Sequence, residues 1–155
     1  MKDVLNELCT CMMCENSVFH YLTTEDLKEI RTFFGCKTVS AGQILWNQGD
    51  RCDYVACIVS GRVEIKRETE FKGKHAVVGV LGSGSIVGAL CILDASPRAV
   101  TAVALEDVSL ITISLEKFEE LISLYPALGS QLMKGMLLSV STRLKKSYDR
   151  LSKFF

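Results

Sequence analysis

The chain has 155 residues, 48% hydrophobic and 23% charged, with 18 Lys or Arg against 18 Asp or Glu. That length fits one domain with a sizeable core, and the zero net charge excludes a global field that would draw nucleic acid or an anionic membrane. No run of about 18 apolar residues occurs, and the start "MKDVLNELCTCMMC" lacks the apolar stretch of a signal peptide, so a cytoplasmic protein with no membrane span is expected. The seven cysteines are odd in number and have no secretory context, which predicts reduced thiols, most of them small buried hydrophobes.

Residues 1–34 carry helical signals. In "LTTEDLKEI", Thr23 precedes Asp26 by three residues and Glu25 lies in the first turn, a capping-box-like start with acid at the positive end of the helix. Leu27, Ile30 and Phe34 then form an apolar face.

Residues 36–114 change to short strands. Turn signals recur at Ala41-Gly42, Gln48-Gly49-Asp50, Ser60-Gly61, Lys72-Gly73-Lys74 and Gly82-Ser83-Gly84-Ser85. Tyr54 to Val59 is a nearly continuous apolar run, expected to be buried on both faces. After Ser60-Gly61, Arg62 to Lys66 alternates polar and apolar, which suits a half-exposed strand. "TAVALEDVSLITI" supplies two more strands around Glu106-Asp107. Many short strands, regularly punctuated, predict a sandwich, barrel or jelly roll.

Residues 114–155 return to helical spacing. Ser114 is placed to cap "LEKFEELISLY", whose Phe118, Leu121, Ile122 and Tyr125 share a face, and Pro126 fits the first turn of the next helix. In that helix Met133, Leu137, Val140, Leu144 and Leu151 are spaced 4, 3, 4 and 7, with Ser147 at the missing step. The stripe is either a dimer seam or a face packed on its own domain.

The most informative stretch is "GALCILDASPRAV", residues 88–100. Gly88 allows close backbone approach, "ALCILD" makes a short helix, and free amides at a helix start attract an anion. Arg98, stiffened by Pro97, adds a guanidinium able to grip a phosphate. The alternative is an arginine paired with a surface carboxylate, Asp94 being nearest in sequence.

"VGALCIL", then "DAS", then "PRAVTAV" resembles the phosphate-binding cassette of the cyclic nucleotide-binding domain. That module occurs in catabolite activator-type transcription factors, cAMP-dependent protein kinase regulatory subunits and cyclic nucleotide-gated channels. "SVFHYLTTEDLKEI", "VSAGQILWNQGDRCDYVACIVSGRVEI" and "EDVSLITISLEKFEELISLYPAL" are similar to the family's entry helices, strand signature and last strands with the first C-terminal helix. The resemblance covers about residues 17–145. It implies an eight-stranded antiparallel β-roll, jelly-roll-like, flanked by N- and C-terminal helices, in one domain over 1–155. It implies a non-catalytic module for cAMP, cGMP or a related phosphate ligand, with no resident cofactor. Arg98 would hold the cyclic phosphate, helped by the amides of Leu90, Cys91 and Ala99. Gly88 would shape the turn, and Thr101 matches the cassette's trailing threonine.

One position departs from the pattern: the family's ribose-binding glutamate is Ala89 here. Loss of that charge-assisted bond costs on the order of 1.5–3 kcal/mol. Three functions stay open: a ligand sensor, an assembly module that keeps the fold without nucleotide, and a redox sensor. The redox reading rests on Cys9, Cys11 and Cys14 in "CTCMMC", similar to the iron–sulfur cysteines of some catabolite activator relatives, with Cys36 or Cys91 as a fourth ligand. On a helix Cys9 points away from Cys11 and Cys14, which opposes it. His20 and His75 are isolated, and no paired carboxylates stand at suggestive spacing, so no enzyme is expected.

The family's base contact usually comes from the last helix, where Arg143 lies, but no motif marks it. The basic "RLKKSYDRLSKFF" reads as cations at the negative end of that helix. With no helix-turn-helix reader after it, DNA binding by this chain alone is not expected.

Overall fold

The computed structural model describes residues 2–154. Helices α1 (Val4–Met12) and α2 (Thr24–Ile30) lead the chain, followed by a 3-10 turn at Arg31–Phe33. The capping box is present: Asp26 N donates to Thr23 Oγ1 at 3.1 Å, and Thr23 N donates to the Asp26 carboxylate at 2.9 Å.

Eight strands follow: β1 (Gly35–Val39), β2 (Ile44–Trp46), β3 (Tyr54–Ser60), β4 (Val63–Glu68), β5 (His75–Leu81), β6 (Ile86–Val87), β7 (Thr101–Ala104) and β8 (Val108–Ser114). They pair antiparallel in two four-stranded sheets, ordered β1-β8-β3-β6 and β2-β7-β4-β5. This is the β-roll that the sequence predicts.

The apolar run of β3 has a simple cause. Successive side chains point to opposite faces. Val55, Cys57 and Val59 enter one apolar cluster, with Phe19, Leu27 and Leu121 from the helices. Ala56 and Ile58 enter a second, with Val63, Leu110 and Trp46 between the sheets. β8 is divided the same way, Ile111 and Ile113 to the first cluster, Val108 and Leu110 to the second. Both strands are therefore apolar on both faces, whereas β4 alternates buried and half-buried residues.

Between β6 and β7 the chain makes one short helix, α3 (Cys91–Asp94), ended by Ala95 in the left-handed region at φ 54°. Helix α4 (Leu115–Leu124) is capped by Ser114, whose hydroxyl accepts from Lys117 N, and Pro126 opens the long α5 (Pro126–Ser152). The predicted α4 face is used: Phe118 and Leu121 are buried, with Ile122 and Tyr125 packed against them.

Helix α5 meets the roll through Leu132, Met136 and Ser139, all buried. Of the predicted stripe, Val140 turns inward onto the core, while Met133, Leu137, Leu144 and Leu151 stay exposed. No described helix is long and apolar enough to cross a membrane.

Candidate functional site

Arg98 is only 3% exposed. Its backbone is pinned first: Arg98 N donates to Asp50 O and Gly49 N donates to Arg98 O, both at 2.8 Å. Thr101 Oγ1 accepts from Gln48 N at 2.9 Å and ties the same Asn47–Asp50 turn to β7. Thr101 thus lies behind the arginine and does not line the cavity described below.

The Arg98 side chain then runs inward. Its guanidinium carbon stands 3.6 Å from the centroid of the Trp46 ring, and Nη2 donates to Tyr54 O at 2.6 Å. Nε is buried without a hydrogen-bond partner. Stacking on an indole and bonding to one carbonyl offset only part of the cost of burying a cation. Burial accordingly pushes the guanidinium pKa down.

The predicted competitor is absent. Asp94 is exposed and its carboxylate accepts from Ser96 N at 3.0 Å; hydrogen bonding to the Ser96 side chain, then to its amide, holds the pKa below the usual range. Among the described residues no carboxylate forms a salt bridge with Arg98.

Gly88 has φ +80°, and a Cβ there would collide with Arg98 Nη1 and press on the Trp46 ring at 3.1 Å. Glycine is thus required twice, for backbone conformation and for space. The amides of Ala89, Leu90, Cys91 and Ala99 donate no hydrogen bond among the described residues. They remain available beside the guanidinium.

These groups border a cavity of about 1290 Å³ between the cassette, β5 and α5. Gly88, Ala89, Leu90, Cys91, Arg98 and Ala99 all line it. Ile65, Val78, Val80 and Leu81 form an apolar wall, and Arg143, Lys146, Arg150 and Lys153 come from α5. Ala89 contributes no acceptor; its methyl packs against the core.

One expectation is overturned. Cys52 and Cys91 form a disulfide, with Cα atoms 6.1 Å apart across a separation of 39 residues, leaving five free thiols. The loop before β3 and the first residue of α3 meet only when the roll closes, so no local spacing announces the pair.

The N-terminal cysteines do not converge. The Cys11 thiol is buried and donates to Ile58 O at 3.5 Å, while the Cys14 thiol donates to Thr10 O at 3.6 Å. Burial pushes Cys11 up to about 12. Among the described residues no group of three or more His, Cys, Asp or Glu is placed to hold a metal ion.

Sequence reasoning missed Trp46, Tyr54 and Ser139. Nothing in a pattern marks an indole as the platform for an arginine 52 positions later. Ser139 Oγ accepts from Ile86 N at 3.1 Å, and Arg143 donates to Ile86 O, so α5 holds both polar groups of one β6 residue. Arg143 Nε is buried and unpartnered, like that of Arg98.

Residues 36–125 match the sequence profile of the Cyclic nucleotide-binding domain. The chain is 29% identical over 115 residues to the Cyclic AMP receptor protein of Thermus thermophilus, covering 74% of this chain and 53% of that protein. It is 34% identical over 96 residues to lysophospholipase nte1 of Aspergillus oryzae, 62% of this chain and 6% of that enzyme. The chain thus spans about half the length of the first relative and a small part of the second. In three dimensions it is similar to a cyclic nucleotide-binding domain from Methylobacillus flagellatus, with a TM-score of 0.83 at 23% identity, covering 97% of this chain and 84% of that one. That last likeness concerns the fold.

Proposed function

Because the chain belongs to the cyclic nucleotide-binding domain family, we propose that residues 1–155 form one domain, a non-catalytic regulatory module whose Arg98 takes the phosphate of a cyclic nucleotide, cAMP or cGMP. The observation that carries the reading is an arginine only 3% exposed, with no carboxylate partner among the described residues and an unsatisfied Nε, at the edge of a large cavity. An unpaired buried cation is costly, and an anionic ligand is the partner that would offset the cost.

The surroundings support the same occupant. The phosphate completes the bonding of Arg98 and of the free amides of Ala89, Leu90, Cys91 and Ala99. Gly88 leaves room for its approach. Thr101 positions the arginine from behind and does not touch ligand. The apolar wall of Ile65, Val78, Val80 and Leu81 suits a base.

Occupancy is relayed through β6. Ile86 lies two residues before Gly88, and both its amide and its carbonyl are held by α5. A ligand that reorders Gly88 to Cys91 shifts the population of α5 packings that β6 accepts. The exposed Met133, Leu137, Leu144 and Leu151 support a homodimer built along that helix.

Ala89 supports a second reading, an assembly module that has lost the ligand, because no side chain at that position accepts from a ribose hydroxyl. Titration calorimetry with cAMP and cGMP separates the two. Micromolar heats that vanish in Arg98→Ala uphold the sensor. Silence up to millimolar ligand, with wild-type protein shown to be folded, leaves the assembly module. Light scattering after size exclusion reads the dimer, which Leu137→Glu should dissolve.

A further inference from the structure

The cavity carries more cationic character than one cyclic phosphate uses. On α5, Arg143, Lys146, Arg150 and Lys153 follow one another at intervals of three, four and three, so they form one stripe, and all four line the cavity. Asp149 on the same helix and Glu15 across the opening are the acids that also line it. None of these six is in a salt bridge among the described residues.

Two of the guanidiniums are unsatisfied in the same way. Arg98 Nε and Arg143 Nε are both buried without a partner, and burial lowers the pKa of each. They engage the chain two residues apart: Arg98 packs against Gly88, and Arg143 donates to Ile86 O. With Lys146 and Arg150 beside Arg143, the stripe of α5 offers a second anion a seat besides the one at Arg98, as two phosphates borne on one sugar or one dinucleotide ring would use.

The volume agrees. Pockets for small ligands usually measure about 300–1,000 Å³, and this one is about 1290 Å³. Ala89 agrees too, because a ligand anchored by two phosphates needs no acceptor for a ribose hydroxyl.

We infer that the cavity is built for a nucleotide ligand with two separated phosphates, one on Arg98 and one on the Arg143–Lys146–Arg150 stripe of α5. The inference rests on the ligand-sensing role proposed above and names the class of its ligand. The second phosphate also bonds the helix that clamps β6, so the doubly charged ligand pulls on both ends of the relay at once.

The test is calorimetry on the full chain with three probes: cAMP, a 3′,5′-cyclic dinucleotide, and adenosine 3′,5′-bisphosphate. At least one doubly phosphorylated probe should bind ~10-fold or more tightly than cAMP, with the steeper loss of affinity on adding salt. The cyclic and open probes tell a ring from a linear ligand. Lys146→Gln/Arg150→Gln, at exposed positions, should reduce that preference to near parity, with the fold checked by circular dichroism. Three results overturn the inference and leave the sensing role standing: equal affinity for all probes, cAMP tightest, or a preference that survives the double variant, while Arg98→Ala abolishes binding. If no probe binds folded protein, the sensing role and the inference fall together.

Discussion

Arg143 Nη2 donates to the carbonyl oxygen of Ile86, two residues before Gly88. With Ser139 on the Ile86 amide, the long helix grips the strand that feeds the cassette. Removing one grip should be felt in both stability and response. Ser139→Ala leaves a buried amide unpaired and should cost about 1–3 kcal/mol in urea denaturation, with an unchanged slope. A change below about 0.5 kcal/mol would mean that the bond contributes nothing to the clamp.

Gly88→Ala inserts a methyl where Arg98 Nη1 and the Trp46 ring already meet, at φ +80°. The variant should lose about 1–3 kcal/mol of stability and at least ~10-fold in ligand affinity. Trp46 is the sole tryptophan, so its emission reports directly on the displaced guanidinium. An unshifted spectrum with wild-type affinity would refute the steric argument.

The disulfide makes a counting prediction. Thiol titration of unreduced, denatured protein should find five thiols, and seven after reduction. Closing a loop of this length stabilises a fold by about 2–4 kcal/mol, so reductant should lower the denaturation midpoint. Because Cys91 opens α3, reduction should also loosen ligand binding. Seven thiols without reductant would remove the bond from the account.

Alkaline pH should unfold the protein for a defined reason. Burial raises the Cys11 thiol from 9.0 to about 12, and raises Cys57 as well. Between those values the native state keeps protons that the unfolded chain releases. For Cys11, stability is therefore full below pH ~9 and falls as pH rises toward ~12, by roughly 1.4 kcal/mol per pH unit, and Cys57 acts in the same direction. Cys11→Ala/Cys57→Ala should flatten that slope in denaturation measured across the range; an identical slope would assign it to other groups.

The apolar runs inside "YVACIVS" and "VSLITIS", the alternation of Arg62 to Lys66, the caps at Thr23 and Ser114, and Pro126 are local signals, and they determined strands, helix starts and the order of elements. Gly88 and Arg98 were legible as a pair because the backbone conformation and the charge are intrinsic to those residue types. Periodicity and turn chemistry act over a few residues, so a sequence displays them directly. What surrounds Arg98 was decided by closure of the roll. Trp46 beneath it, the Tyr54 carbonyl beside it, the Cys52–Cys91 bond and the cationic stripe of α5 opposite come from positions tens of residues apart. Only the packing of two sheets and one helix gathers them around one cavity, and that packing also left the arginine without the carboxylate its sequence neighbour Asp94 offered.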